Sequence, residues 1–197
     1  DTVVRARYKQ KAMKAGSQMG ALLKKEAKRF TGSTVYLINC GLGTVAFLAG
    51  AVMAVVKSDY LHRLMETLNQ MMPGADSLIP LALAGMLGLV TAMNDITAPS
   101  VSLEGKNIWI LQSMPVSAWT VLKAKLLLHV LVTSVPAVIC IASISVVLGI
   151  SPVEAVLVGM FELIFIVLGA AVGLAVNLKM PNLNWVNETV VIKQSMA

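Results

Sequence analysis

At 57% hydrophobic, 13% charged and a mean hydropathy of +0.78, this 197-residue chain is too apolar for an ordinary soluble domain, in which about a quarter of the residues carry charge. The apolar residues fall in long blocks, so the expected fold class is all-α: a polytopic transmembrane bundle of about four spans with short interfacial amphipathic helices. The net charge is +6, and nine of the sixteen Lys/Arg lie in residues 1–30 beside only Asp1 and Glu26. Such a segment next to a span reads as cytoplasmic and close to anionic headgroups. It has too few interleaved aromatic side chains to stack on bases, so nucleic acid is not an expected partner.

Residues 1–30 are read as a basic arm ending in an interfacial helix. From Gly20, Leu23, Ala27 and Phe30 recur at helical spacing while Lys24, Lys25, Lys28 and Arg29 take the other sides. The transmembrane domain is expected over 31–176. Its first span, 34–56, is uncharged for 23 residues, enough to cross a roughly 30 Å hydrocarbon core. Ala46, Gly50 and Ala54 form a small-residue ridge there. Leu61, Leu64, Met65, Leu68 and Met72 then predict an amphipathic helix starting near Ser58 or Asp59 and stopped by Pro73-Gly74.

A second span, 78–96, is short and carries a ridge at Ala84, Gly88 and Ala92. A third, 126–149, contains Pro136, which is expected to kink it, and has His129 near one end as a packed residue. Ser151-Pro152-Val153-Glu154 is a capping box with proline at the first helical position, and it starts a fourth span over 153–176. Glu162 lies mid-span without a cap to explain it; with Asn39 it makes the candidate intramembrane polar site. Gly169 and Gly173 read as a close-packing pair. Cys40 and Cys140 each sit inside an apolar block and read as free buried thiols. Residues 177–197 are polar again and read as a cytoplasmic segment leading to a remainder.

Counted along the chain, Lys/Arg number nine, two, three, none and two in the successive non-membrane segments. The alternation places both ends and the middle loop in the cytoplasm of a multi-pass cell-membrane protein. No GxxxxGK[ST], HExxH or GxSxG pattern occurs, and the two histidines gather no metal-ligand cluster. The expected role is conduit or scaffold rather than enzyme, with no cofactor of its own.

Three stretches carry a resemblance: LLKKEAKRFTGSTVYLINCGLG over 22–43, SLEGKNIWILQSMPVS over 102–117 and MPNLNWVNETVVIKQSMA over 180–197. Together, in this order, they resemble bacterial ABC-type exporter permeases of the ABC-2 class. The resemblance implies a membrane subunit driven by a separate cytoplasmic ABC ATPase that binds ATP and magnesium, and a second permease half or copy, with membrane lipid around them. Such permeases have more spans than the four read here, which implies a longer parent chain. It also implies that the loop 100–115 couples to the ATPase, with Glu104, Lys106, Trp109, Ser113 and Pro115 as candidates. On a single helix Leu103, Ile110 and Met114 share one face and Glu104 and Lys106 point elsewhere, which suits a short amphipathic rod. Two other readings stand beside this one: a secondary transporter or channel using Glu162, and a non-transporting membrane scaffold.

Overall fold

The computed structural model describes residues 17–194. The first sixteen residues of the basic arm and the last three of the tail lie outside it. The described residues form α1 (Gln18–Gly32), α2 (Thr34–Cys40), α3 (Leu42–Val56), α4 (Ser58–Met71), α5 (Ile79–Thr91), α6 (Ile108–Ser113), α7 (Ala118–Leu148), α8 (Pro152–Lys179) and α9 (Glu188–Gln194). The sole non-helical pairing among them is an isolated bridge between Gly41 and Asn94.

The spine is α7. Ser117 caps its start by accepting from Thr120 N, and Gly149 ends it in the left-handed region at φ 67°. At 31 residues it is about 46 Å long, and Pro136 lies buried inside it without ending it. It packs against α3 on one side, α8 on another and α1 near its start. The predicted capping box is present at α8: Glu154 N donates to Ser151 Oγ at 3.3 Å, and Ser151 N donates to Glu154 Oε2 at 3.1 Å. Along α8, Val158, Glu162, Ile166, Ala170 and Leu174 recur every fourth residue as one buried stripe, while most of the remaining surface is apolar and outward. An apolar outer face on a 28-residue helix has no favourable solvent but lipid.

α7 and α8 are long and apolar enough to cross a membrane. The other two predicted spans differ from expectation. Segment 34–56 is not one helix. It breaks at Gly41, where a Cβ would stand 2.7 Å from Leu37 O and 2.9 Å from Phe30 Cζ. α3 then turns through 82° into α4, so the pair counts as a crossing only as one bent path. The second predicted span is helical only to Thr91, 13 residues preceded by a tight turn at Ala75–Leu78. The physical reason lies in the following residues. Asn94, Thr97, Ser100 and Ser102 hydrogen-bond other elements instead of continuing a helix.

Two clusters form the core. One gathers Phe47, Leu83, Leu87, Ile141 and Ile166 between α3, α5, α7 and α8. The other gathers Phe30, Tyr36, Ile96, Leu103, Leu128 and Ile192. The C-terminal segment packs on the body: α9 lies on α2, and Val191 and Ile192 are buried.

Candidate functional site

The irregular stretch between α5 and α6 organises the interior. Residues 96–105 are buried almost throughout although they bridge two helices rather than belong to one. Backbone away from water has to find partners, and here it does. The break at Gly41 frees the carbonyl of Cys40, and Asp95 N donates to it at 3.2 Å. Thr44 N, at the start of α3, donates to Asn94 Oδ1 at 3.0 Å. Asn177 near the end of α8 accepts from both Val101 N (2.8 Å) and Ser102 N (3.0 Å), and its amide donates to Ser102 Oγ at 2.7 Å. Gly173 permits the close approach of α8, since a Cβ there would lie 2.8 Å from Thr97 Oγ1. Gly169, its predicted partner in close packing, faces open space.

At one end of this stretch stands a buried charge cluster drawn from three elements. Glu104 is 4% exposed at its side chain and receives Lys25 Nζ at 2.9 Å, Arg29 Nη2 at 3.0 Å and Lys125 Nζ at 2.9 Å. Lys125 is more buried still, at 2%, and spends its three protons on Glu104, on Glu26 Oε2 (3.0 Å) and on Ser100 O (2.8 Å). Three cations surround two carboxylates, and each buried group meets an opposite charge, which is the condition for burying charge without a large desolvation cost. Burial alone raises the Glu104 carboxyl. The Arg29 hydrogen bond and the positive charges of Lys125 and Arg29 outweigh it and hold the carboxyl down at about 2. The same contact with Glu104 outweighs desolvation at Arg29 and holds the guanidinium pKa above its ordinary value.

The predicted coupling rod is not one helix. Gly105 sits at φ 54°, ψ −139°, and breaks it into a tight turn over Ser102–Asn107 and the short α6. Trp185 lies against that glycine, 3.1 Å from where a Cβ would be, and donates from Nε1 to Ser102 O at 2.6 Å. Leu103 and Glu104 are therefore buried, while Ile110 and Met114, expected on the face of Leu103, are exposed. Glu104 holds the loop to the body rather than offering its charge outward. Lys106, Ser113 and Pro115 are exposed, and the Ser113 hydroxyl donates to Ile110 O one turn back. Trp109 is 62% exposed and Trp119, at the start of α7, is 60% exposed.

Deeper in the bundle is a second group of polar side chains. Thr91 Oγ1 donates to Glu162 Oε1, and Glu162 Oε2 has no partner. Glu162 also lines a groove of about 420 Å³ between α7 and α8 whose other walls are almost wholly apolar, Ile141, Val156 and Leu163 among them. His129 Nδ1 is 3.3 Å from Thr97 Oγ1, and both residues are buried. Thr133, one turn along α7, is buried with its hydroxyl unpartnered. Asn39 does not join this group; its amide donates to Val35 O on its own helix at 2.8 Å.

Sequence reasoning singled out Glu104, though for a coupling role and not for this inward clamp, and Glu162, but missed Glu26, Lys125, Thr97 and Asn177. Two signals were present. Lys125, His129 and Thr133 recur at intervals of four on one apolar helix, and Glu26 is the sole acid among the basic residues of α1. No group of three or more His, Cys, Asp or Glu side chains able to hold a metal ion occurs among the described residues. Comparison of the chain with known families, with characterised proteins and with solved structures found no match.

Proposed function

We propose that this chain is the membrane part of an ATP-driven exporter, worked by a separate ATPase that docks on α6 and the start of α7. The observation that carries the reading is the path from an exposed apolar knob to a membrane helix. Trp109 and Ile110 project from α6 with exposed Met114 just beyond its end, and α7 then begins at Ala118, followed by the exposed Trp119. Upstream of α6, Glu104 is clamped to Lys125 on α7 and to Lys25 and Arg29 on α1. A push on α6 thus reaches α7 through both of its ends, and a charge-clamped joint moves as a rigid body. The excess of Lys/Arg around this end supports a cytoplasmic location for it. The resemblance of the three sequence stretches to ABC-2 permeases supports the same assignment.

The test is reconstitution of the full-length protein in vesicles with the ATPase encoded beside it. ATP hydrolysis is expected to rise when the two are combined and to lose most of that rise in Trp109→Ala/Ile110→Ser, while Glu66→Ala on the polar side of α4 keeps it. An ATPase that neither associates nor changes its rate overturns the reading.

A second reading, a proton- or ion-coupled transporter, draws on Glu162, whose Oε2 lacks a partner beside the α7–α8 groove. Flux that persists without ATP and disappears in Glu162→Gln distinguishes it from the first.

A further inference from the structure

α4 is amphipathic, yet none of its residues is buried. Its polar side carries Asp59, Arg63 and Glu66. Its apolar side, with Leu61, Leu64, Met65 and Leu68, lines a half-open groove of about 890 Å³ between α4, α3, α5 and the far end of α7. Leu61 packs on the core, while Leu64 and Leu68 of the same stripe remain exposed and lack the full packing that a stripe of this pattern favours. The volume lies within the roughly 300–1,000 Å³ of small-molecule sites.

The shape and charge of the slot identify what fills it. It runs beneath α4 from Lys57 to Met72, about 22 Å at helical rise, long enough to take an extended acyl chain. Its walls are apolar apart from Lys57, Tyr60, Asn69 and Asp76. The two charged groups stand at opposite ends. Neither Lys57 nor Asp76 makes a side-chain ion pair among the described residues. Lys57 stands where α4 begins, so the positive end of the helix dipole adds to its ammonium. An anionic head is attracted to the Lys57 end and repelled from the Asp76 end, which gives the site a direction. The flexible thioethers of Met53, Met65, Met72 and Met86 suit a chain with no fixed shape.

We propose that this slot binds one acyl chain of an anionic membrane phospholipid, laid along α4, with its phosphate at Lys57 and Tyr60. The site is separate from the charge cluster and α6, and it stands whether or not an ATPase drives the protein.

The experiment uses the full chain in phosphatidylcholine nanodiscs doped with phosphatidylglycerol that carries a diazirine on one acyl chain, with the labelled peptides mapped after irradiation. Label is expected on the slot walls of α3, α4 and α5 at least fivefold above the outward face of α8 around Ile164 and Val167. Unlabelled phosphatidylglycerol is expected to displace it at lower concentration than phosphatidylcholine does. Ala82→Trp and Leu64→Trp each fill the slot from partly exposed positions and are expected to cut the slot label at least fivefold, with helicity and melting unchanged as the check on folding. Lys57→Gln is expected to keep the label but make the two competitors equal. Label spread evenly over the slot and α8 reduces the slot to ordinary annular contact and overturns the proposal. Crosslinks between two copies through the slot overturn it in favour of a protein occupant, and an unchanged headgroup preference in Lys57→Gln overturns the assignment of the anion.

Discussion

Lys125 Nζ and Glu104 Oε1 lie 2.9 Å apart, both side chains less than 5% exposed, and join the long helix α7 to the turn that precedes α6. A buried pair of this kind is costly to break from one side, because the survivor keeps its charge and loses its partner. Lys125→Met strands Glu26 and Glu104 with fewer cations and is expected to cost about 3–5 kcal/mol. Lys25→Met removes a half-exposed ammonium and is expected to cost about 1 kcal/mol or less. Thermal unfolding of the purified protein in detergent gives the comparison. Equal losses at the two positions would show that the buried lysine is not the keystone.

The same cluster sets an acid limit. The Glu104 carboxyl is held at about 2 in the folded protein against an ordinary 4.5. A depressed carboxyl stabilises the fold fully above its unfolded value, so the contribution is complete above pH 4.5. It is lost as pH falls through about 2, where folded and unfolded states bind the same proton. The total is roughly 3 kcal/mol. Trp185 reports on it, since its ring nitrogen bonds the turn that carries Glu104. In a Trp109→Phe/Trp119→Phe background its emission is expected to shift between pH 4.5 and 2, and the shift is expected to vanish in Glu104→Gln.

The two glycines of α8 separate packing from pattern. Gly173 is pressed against Thr97 and Asp95, whereas Gly169 faces open space. Gly173→Leu is expected to destabilise by about 2 kcal/mol or more through overpacking, and Gly169→Leu to stay within about 0.5 kcal/mol. Matching effects in a melting experiment would contradict the close approach at Gly173.

Thr91 is the one hydrogen-bond donor to Glu162 among the described residues. Thr91→Val leaves a buried carboxyl without a donor and is expected to cost about 1–3 kcal/mol. Thr91→Val/Glu162→Leu removes both polar groups and is expected to recover most of that loss. A double variant no more stable than Thr91→Val in the same unfolding assay would mean that Glu162 is satisfied by another route.

Much of this architecture follows from local chemistry. Long apolar runs announced α7 and α8, Ser151-Pro152-Val153-Glu154 announced the start of α8, and the spacing of Leu61, Met65 and Leu68 announced α4. Each of these depends on residues within a few turns of one another, so periodicity and capping suffice. The breaks at Gly41, Ala92 and Gly105 follow a different logic. At each, distant groups take over the freed backbone or occupy the space: Asp95 binds Cys40 O, Asn94 just past α5 accepts from Thr44 N, and Trp185 lies on Gly105.

The charge cluster belongs to that second class. Lys25, Glu26, Arg29, Glu104 and Lys125 span a hundred positions, and each alone reads as a solvated charge or an interfacial anchor. Sequence decides that the protein is helical and that α7 and α8 are long and apolar enough to cross a membrane, because hydrophobic length and helix caps are local properties; that the other two expected spans are broken is decided by tertiary contacts. Only the tertiary structure decides that Glu104 faces inward and that the stretch from Asn94 to Gly105 is buried polar backbone. Burial of charge is stable only when partners from other elements arrive together, and that assembly has no local signature.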